Sequence, residues 1–114
     1  MSSKYVFPTM ITPFNADGSV DYATCEKYVQ WYYDKGCNGI FAVCQSSEMF
    51  YLSLEERIKL NSVVWNKVKE IEKNGGRKMI VVSSGHIADS IDEQIYELNK
   101  IAETGTDAII FLTN

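Results

Sequence analysis

The 114-residue chain is 46% apolar and 23% charged, enough apolar material for one small core or for a portion of a larger one. Its formal net charge of −4, with lysines and arginines scattered among acids, excludes the concentrated basic face of a nucleic-acid binder. No run of about 18 apolar residues occurs, so no membrane-spanning helix is expected.

In chain order, Met1-Ser2-Ser3-Lys4 leads into a strand-like segment rather than the apolar stretch and small-residue cleavage site of a secretion signal. Tyr5–Ile11 reads as a first strand, closed by Thr12-Pro13, and Asn15-Ala16-Asp17-Gly18 is a turn. Asp21 is placed to cap a helix running to about Lys35, with Cys25, Tyr28, Val29 and Tyr32 on its apolar face and Gly36 as its stop. Tyr28, Trp31, Tyr32 and Tyr33 lie too close together to share one face, so some are expected to be exposed or at an interface.

Gly39–Val43 is a continuous apolar strand, the form expected where both faces are covered. Ser53-Leu54-Glu55-Glu56 is a capping box, in which the serine bonds forward and Glu56 reaches back. The helix it opens runs to about Lys73, burying Leu54, Ile58, Val64, Val68 and Ile71, and Asn74-Gly75-Gly76 breaks it. Met79–Val82 is the third strand and Ser83-Ser84-Gly85-His86 the turn after it. A third helix from about Ser90 to Thr104 is expected to turn Ile91, Ile95, Leu98 and Ile101 inward, with Gly105 as its stop and Ala108–Leu112 as the fourth strand.

This β-α-β-α-β-α-β order predicts parallel strands joined by helices. Two architectures produce it: a small open doubly wound sheet, and half of an eightfold β/α barrel that needs roughly 250 residues when complete. Against the open sheet, no Gly-x-Gly-x-x-Gly follows the first strand, and Gly75-Gly76 precedes a strand, the wrong end for phosphate binding. Thr12-Pro13-Phe14 also replaces the acidic residues a phosphorelay receiver would carry there.

In such parallel folds ligands gather at the C-terminal ends of the strands. After the second strand, Cys44-Gln45-Ser46-Ser47-Glu48 supplies hydroxyl and N–H groups suited to an anion such as a carboxylate. The same serines are equally fit to bond their local backbone in a turn. Cys25, Cys37 and Cys44 are odd in number and lack Cys-x-x-Cys spacing, so reduced thiols in the cytoplasm and no metal site are expected. Cys44 reads as a small buried apolar residue, Glu48 as a structural tie, and His86, the one histidine, as a solvated loop residue.

Thr12-Pro13-Phe14, Asp17-Gly18-Ser19-Val20-Asp21, the run Gly39–Glu48 and Leu52-Ser53-Leu54-Glu55-Glu56-Arg57 together resemble the dihydrodipicolinate synthase and N-acetylneuraminate lyase family of pyruvate-dependent aldolases. The resemblance spans essentially the whole chain and implies the fold: an α/β N-terminal half, four strands and three helices, of a TIM (β/α)8 barrel. Residues 1–114 would then be one barrel domain truncated after its fourth strand. In that family the second strand usually ends Gly-Thr-Thr-Gly-Glu or Gly-Ser-Thr-Gly-Glu, where this chain reads Cys44-Gln45-Ser46-Ser47-Glu48.

Ser46 thereby takes the place of a hydroxyl that helps hold the carboxylate of pyruvate. Gln45 takes that of a proton-relay hydroxyl, a task an amide does not perform in the same way. Cys44 and Ser47 replace glycines, and Thr12 ends the first strand, where lining the floor of the site and packing duty are equally open. The places where lysine-synthesis enzymes of the family often carry a regulatory lysine site hold Met49, Phe50, Leu54 and Arg57, so feedback by lysine is not expected.

The resemblance places the Schiff-base lysine and catalytic tyrosine beyond Asn114. The chain's own lysines fall at its N-terminus, on helices or, for Lys78, at the start of a strand, and none sits at a desolvated strand end. The expectation is therefore a portion of a class I lyase acting on a small 2-keto acid, inactive alone and needing neither metal nor diffusible cofactor. Because the first and last strands would present open edges, a homo-oligomer is expected. The alternative is a self-contained α/β module that binds an anion or a partner without catalysis.

Overall fold

Three helices alternate with three strands in a computed structural model that describes residues 8–43, 52–83 and 90–109. In chain order these are α1 (Tyr22–Asp34), β1 (Gly39–Val43), α2 (Leu54–Lys73), β2 (Ile80–Ser83), α3 (Ile91–Glu103) and β3 (Ala108–Ile109). The strands form one sheet in the order β1-β2-β3. Both pairings are parallel, with Ile40 opposite Val81 and Val82 opposite Ala108. Each intervening helix is the crossover that parallel pairing demands.

Of the expected four strands, the described residues hold these three. The first expected strand contributes a single parallel bridge, Thr9 to Phe41. There the Met10 N–H donates to the Phe41 carbonyl (3.1 Å) and the Phe41 N–H to the Pro8 carbonyl (3.0 Å); Tyr5–Phe7 lies outside the described residues. The expected fourth strand begins at Ala108, and residues 110–112 lie outside. The strand expected at Met79–Val82 sits one residue later, at Ile80–Ser83, because Ile80 pairs with Gly39 at one end and Ser83 pairs with Val43 and Ile109 at the other.

Capping explains where the helices begin. The Asp21 carboxylate accepts from the Thr24 N–H (3.1 Å). At α2 both halves of the capping box form, Glu56 N–H to Ser53 Oγ (3.1 Å) and Ser53 N–H to Glu56 Oε1 (2.9 Å). Ser90 caps α3 by accepting from the Glu93 N–H. A glycine with positive φ follows each helix within two residues of its end, at Gly36, Gly75 and Gly105.

The core lies between the helices and one face of the sheet, where Ile40, Ala42 and Val81 are fully buried against Leu60, Val64 and Val68 of α2. Helix α2 packs on both α1 and α3 and covers β1 and β2. Its buried stripe is Arg57, Leu60, Asn61, Val64, Val68 and Ile71, at the 3–4-residue spacing of a single helix face. Leu54 and Ile58, expected inside, are only half-buried, while two polar residues occupy core positions.

On α3 the expectation is corrected. Leu98 and Ile101 are buried, but Ile91 and Ile95 are 66% and 46% exposed, because α3 turns its Glu97–Leu98–Ile101 edge toward the core and these two flank it. On α1, Cys25 and Val29 are buried while Trp31 is 55% exposed, in keeping with the crowding of its aromatics.

Candidate functional site

Because β1, β2 and β3 are parallel, their C-terminal ends at Val43, Ser83 and Ile109 lie on one side of the sheet. The segments leaving those ends, 44–51, 84–89 and 110–114, are outside the described residues. Gln45, Ser46 and Ser47 therefore fall outside them, as do Cys44, Glu48 and His86. Thr12 is described: it is 2% exposed and shares the inward alternation of Met10 (0%), whereas Ile11 between them is 60% exposed. The structure thus brings Thr12 into the core and leaves its meeting with residues 45–47 outside the described part.

Two frames border the 44–51 segment. Upstream is the β1 ladder; downstream, Leu52 is 4% exposed and Ser53–Glu56 forms the capping box. Beside them a small hairpin closes the first segment, with Phe14 bridged to Val20 and the Asp21 N–H bonded to the Pro13 carbonyl (2.9 Å). In its turn Asp17 accepts from both the N–H and the hydroxyl of Ser19 (3.0 and 2.6 Å). These bonds hold the Asp17 carboxyl below the usual carboxylate range, and the Thr24 hydroxyl and N–H do the same for Asp21.

Behind the end of β2 lies a buried polar network that joins three elements. The Ser83 hydroxyl donates to Asn61 Oδ1 (2.5 Å), and Ser83 Oγ lies 3.0 Å from the Thr106 hydroxyl. The Asn61 amide lies within donating distance of Thr104 Oγ1 (2.7 Å), the Gly105 carbonyl (2.8 Å) and the Ile101 carbonyl (3.2 Å). Asp107 adds a two-way clamp on β2, its N–H donating to the Val81 carbonyl and its carboxylate accepting from the Val81 N–H, both at 2.9 Å. The network fixes the end of α3 and the start of β3 against α2 and β2. Sequence reasoning missed it; the available signal was a polar residue at position 61 inside an otherwise apolar stripe.

A second polar contact crosses the helix layer. Arg57 Nη1 meets Glu97 Oε2 at 2.7 Å, with side chains only 4% and 9% exposed. Arg57 is therefore committed to the α2–α3 seam. Cys25 is no nucleophile, since burial, with Asp21 adding to it, pushes its thiol up to about 12. Among the described lysines, none is buried: all lie on helix surfaces or, for Lys78, just before β2, away from the strand C-termini. Among the described residues no cluster of His, Cys, Asp and Glu could hold a metal ion, and no helix is long and apolar enough to cross a membrane.

Comparison with known proteins gives these elements a setting. The profile of the Dihydrodipicolinate synthetase family matches residues 2–113. The 4-hydroxy-tetrahydrodipicolinate synthase of Prochlorococcus marinus is 32% identical over 101 residues, 89% of this chain and 31% of the relative. That of Shewanella denitrificans is 33% identical over 104 residues, 91% of this chain and 33% of the relative. The chain thus spans about a third of the length of the curated relatives it matches.

Among solved structures, the chloride-inhibited dihydrodipicolinate synthase of Acinetobacter baumannii, complexed with pyruvate, superimposes with a TM-score of 0.83 at 26% identity, over 96% of this chain and 35% of that one. The lysine-bound enzyme of Cyanidioschyzon merolae superimposes with a TM-score of 0.80 at 26% identity, over 94% of this chain and 34% of that one. The α/β arrangement is that of the N-terminal part of the dihydrodipicolinate synthase barrel. By its matched length and its fold, the chain belongs to the dihydrodipicolinate synthetase family.

Proposed function

We propose that residues 1–114 form the N-terminal portion of a single (β/α)8 barrel whose reaction makes or breaks a carbon–carbon bond next to a 2-keto acid of the pyruvate type. Ser46 holds the substrate carboxylate, and Ser47, Gln45 and Thr12 shape the surrounding wall. In this chemistry a lysine amine adds to the keto carbon and water leaves. The resulting imine accepts the electron pair of the breaking bond as an enamine, or releases it when a bond forms. The lysine comes from a segment other than these residues, so the 114-residue chain alone is inactive.

The observation that carries this reading is the family match over residues 2–113, together with superposition on a pyruvate-bound relative. The free thiols of Cys25 and Cys37 support a reducing, cytoplasmic setting, and the exposed Ile91 and Ile95 support a homo-oligomer.

The test is an amide NMR titration of the chain with pyruvate, followed by borohydride reduction and intact-mass measurement. Shifts centred on residues 44–48, lost in Ser46→Ala, are expected, with no covalent adduct. An absence of response there would remove the keto-acid reading, and an adduct would remove the claim of inactivity.

A further inference from the structure

Two asparagines of the chain are followed by glycine, in Asn38-Gly39 and Asn74-Gly75. Asparagine is thermolabile, and most so where the next residue has no side chain to shield its amide nitrogen. The fold treats the two pairs differently. Gly39 is buried in β1 and paired with Ile80, and the Asn38 carbonyl accepts from the Ile80 N–H (2.9 Å). Asn74 is the exposed C-cap of α2, and with Gly75 and Gly76 it walls an open polar groove of about 380 Å³ that admits water.

Three bonds close this end of α2. The Asn74 N–H donates to the Glu70 carbonyl (3.0 Å), the Gly75 N–H to that of Glu72 (3.1 Å) and the Gly76 N–H to that of Ile71 (2.9 Å). While they hold, ψ of Asn74 stays at 14°, which turns the Gly75 nitrogen away from the Asn74 side chain. Bonds of a last helical turn fray without unfolding of the whole domain.

We infer that Asn74 is a deamidation site, operated by fraying of the last turn of α2 while the sheet stays closed. Once the turn opens, the Gly75 nitrogen bonds to Asn74 Cγ, and its proton departs with the side-chain amide as ammonia. Water then opens the cyclic imide at either carbonyl and leaves aspartate or isoaspartate in place of Asn74. In the isoaspartyl form the main chain runs through the side-chain carbons and is longer by a methylene. Gly76 has no room to absorb this, since even an added Cβ would lie 2.6 Å from Ile71 Cγ2 and 2.7 Å from the Tyr33 hydroxyl. Beside it, the Arg77 guanidinium clasps the Tyr33 and Cys37 carbonyls at the end of α1 (2.7 and 2.9 Å). The modification loosens that clasp and sets an acid at a helix C-terminus, where the helix dipole disfavours one.

The test holds the 114-residue chain at mildly alkaline pH, in buffer and in denaturing urea, with its fold followed by far-UV circular dichroism. Peptide mass mapping and enzymatic methylation of isoaspartate follow each asparagine. In urea the two are expected to react at similar rates. In buffer Asn74 is expected to react at least about tenfold faster than Asn38, because a frayed turn opens far more readily than the sheet. An Asn38 rate in buffer equal to or above that of Asn74 would overturn the inference, as would no reaction at Asn74 in buffer while it proceeds in urea. The isoaspartyl chain, separated chromatographically, is expected to melt below Asn74→Asp, which carries the same charge on an unlengthened backbone. Coincident melting would overturn the loosening of the Arg77 clasp.

Discussion

Replacing Asn61 by leucine is expected to remove the joint that holds α2, β2 and the end of α3 together. The leucine fills similar space, so the cost comes from partners left without a bond. The Ile101 carbonyl keeps the Thr104 hydroxyl (2.7 Å) and the Thr104 N–H (3.1 Å). The Gly105 carbonyl loses its partner in Asn61, while the Ser83 hydroxyl loses Asn61 but keeps the Thr106 hydroxyl 3.0 Å away. An unsatisfied buried polar group costs about 2 kcal/mol and the lost Ser83 bond about 1 kcal/mol, which places the loss near 3 kcal/mol, less about 1 kcal/mol for added apolar burial.

A loss of about 2 kcal/mol is a large share of the roughly 5–15 kcal/mol that stabilises a domain. In urea, with a slope of about 1.5 kcal/mol per molar, it moves the midpoint down by about 1.3 M. Ser83→Ala alone orphans Asn61 Oδ1 and costs about 2 kcal/mol, but in the Asn61→Leu background that oxygen is already gone and no orphan is made. The double variant is therefore expected to be no less stable than Asn61→Leu, a coupling of about 2 kcal/mol in a double-mutant cycle followed by circular dichroism. An additive cycle, or a change within about 0.5 kcal/mol for Asn61→Leu, would refute the account of this network.

Gly105→Ala drives a Cβ into the Trp65 indole on a backbone at φ +115°, whereas at Gly18 (φ +92°) nothing lies within 4 Å of that atom. Gly105→Ala should thus cost about 3 kcal/mol or more and Gly18→Ala about 1 kcal/mol, read as a Tm at least twice as depressed. Glu97→Gln leaves the Arg57 charge buried and is expected to cost about 3 kcal/mol, while Arg57→Met with Glu97→Leu restores most of it; urea midpoints of the three variants decide. Asp21 has a folded-state pKa below its unfolded one, so its contribution is present above the ordinary carboxylate value near 4 and is lost as pH falls through the lower folded value. Asp21→Ala should accordingly show a flatter fall of Tm between about pH 5 and 3 than the parent chain, and parallel curves would count against the cap.

The parts of this fold legible in the sequence are those decided locally. Ser53 and Glu56 announce the start of α2 because a capping box is satisfied by four consecutive residues, and Gly39–Val43 is recognisable because a covered parallel strand has no polar alternation. The polar core was hidden for the opposite reason. Asn61 and Arg57 read as surface residues until partners some 40 positions away, Ile101 to Gly105 and Glu97, are folded against them. Ile91 and Ile95 misled in a related way: hydropathy shows that a face is apolar but not which neighbour, if any, it meets. Of the site, the carboxylate-holding role expected of Ser46 came only through family likeness, since serines after a strand are ordinary turn residues, and residues 44–48 lie outside the described part.

The framing of residues 44–51 carries an evolutionary consequence. A ladder of backbone bonds ends at Val43 on one side, and on the other the Ser53 and Glu56 side chains close the cap of α2. The two fastenings are thus of different kinds, one made by the main chain and the other by two side chains, so a substitution at Ser53 or Glu56 is felt at the helix start and not in the ladder. Selection can therefore vary one fastening at a time, with the risk of each change confined to its own end of the interval.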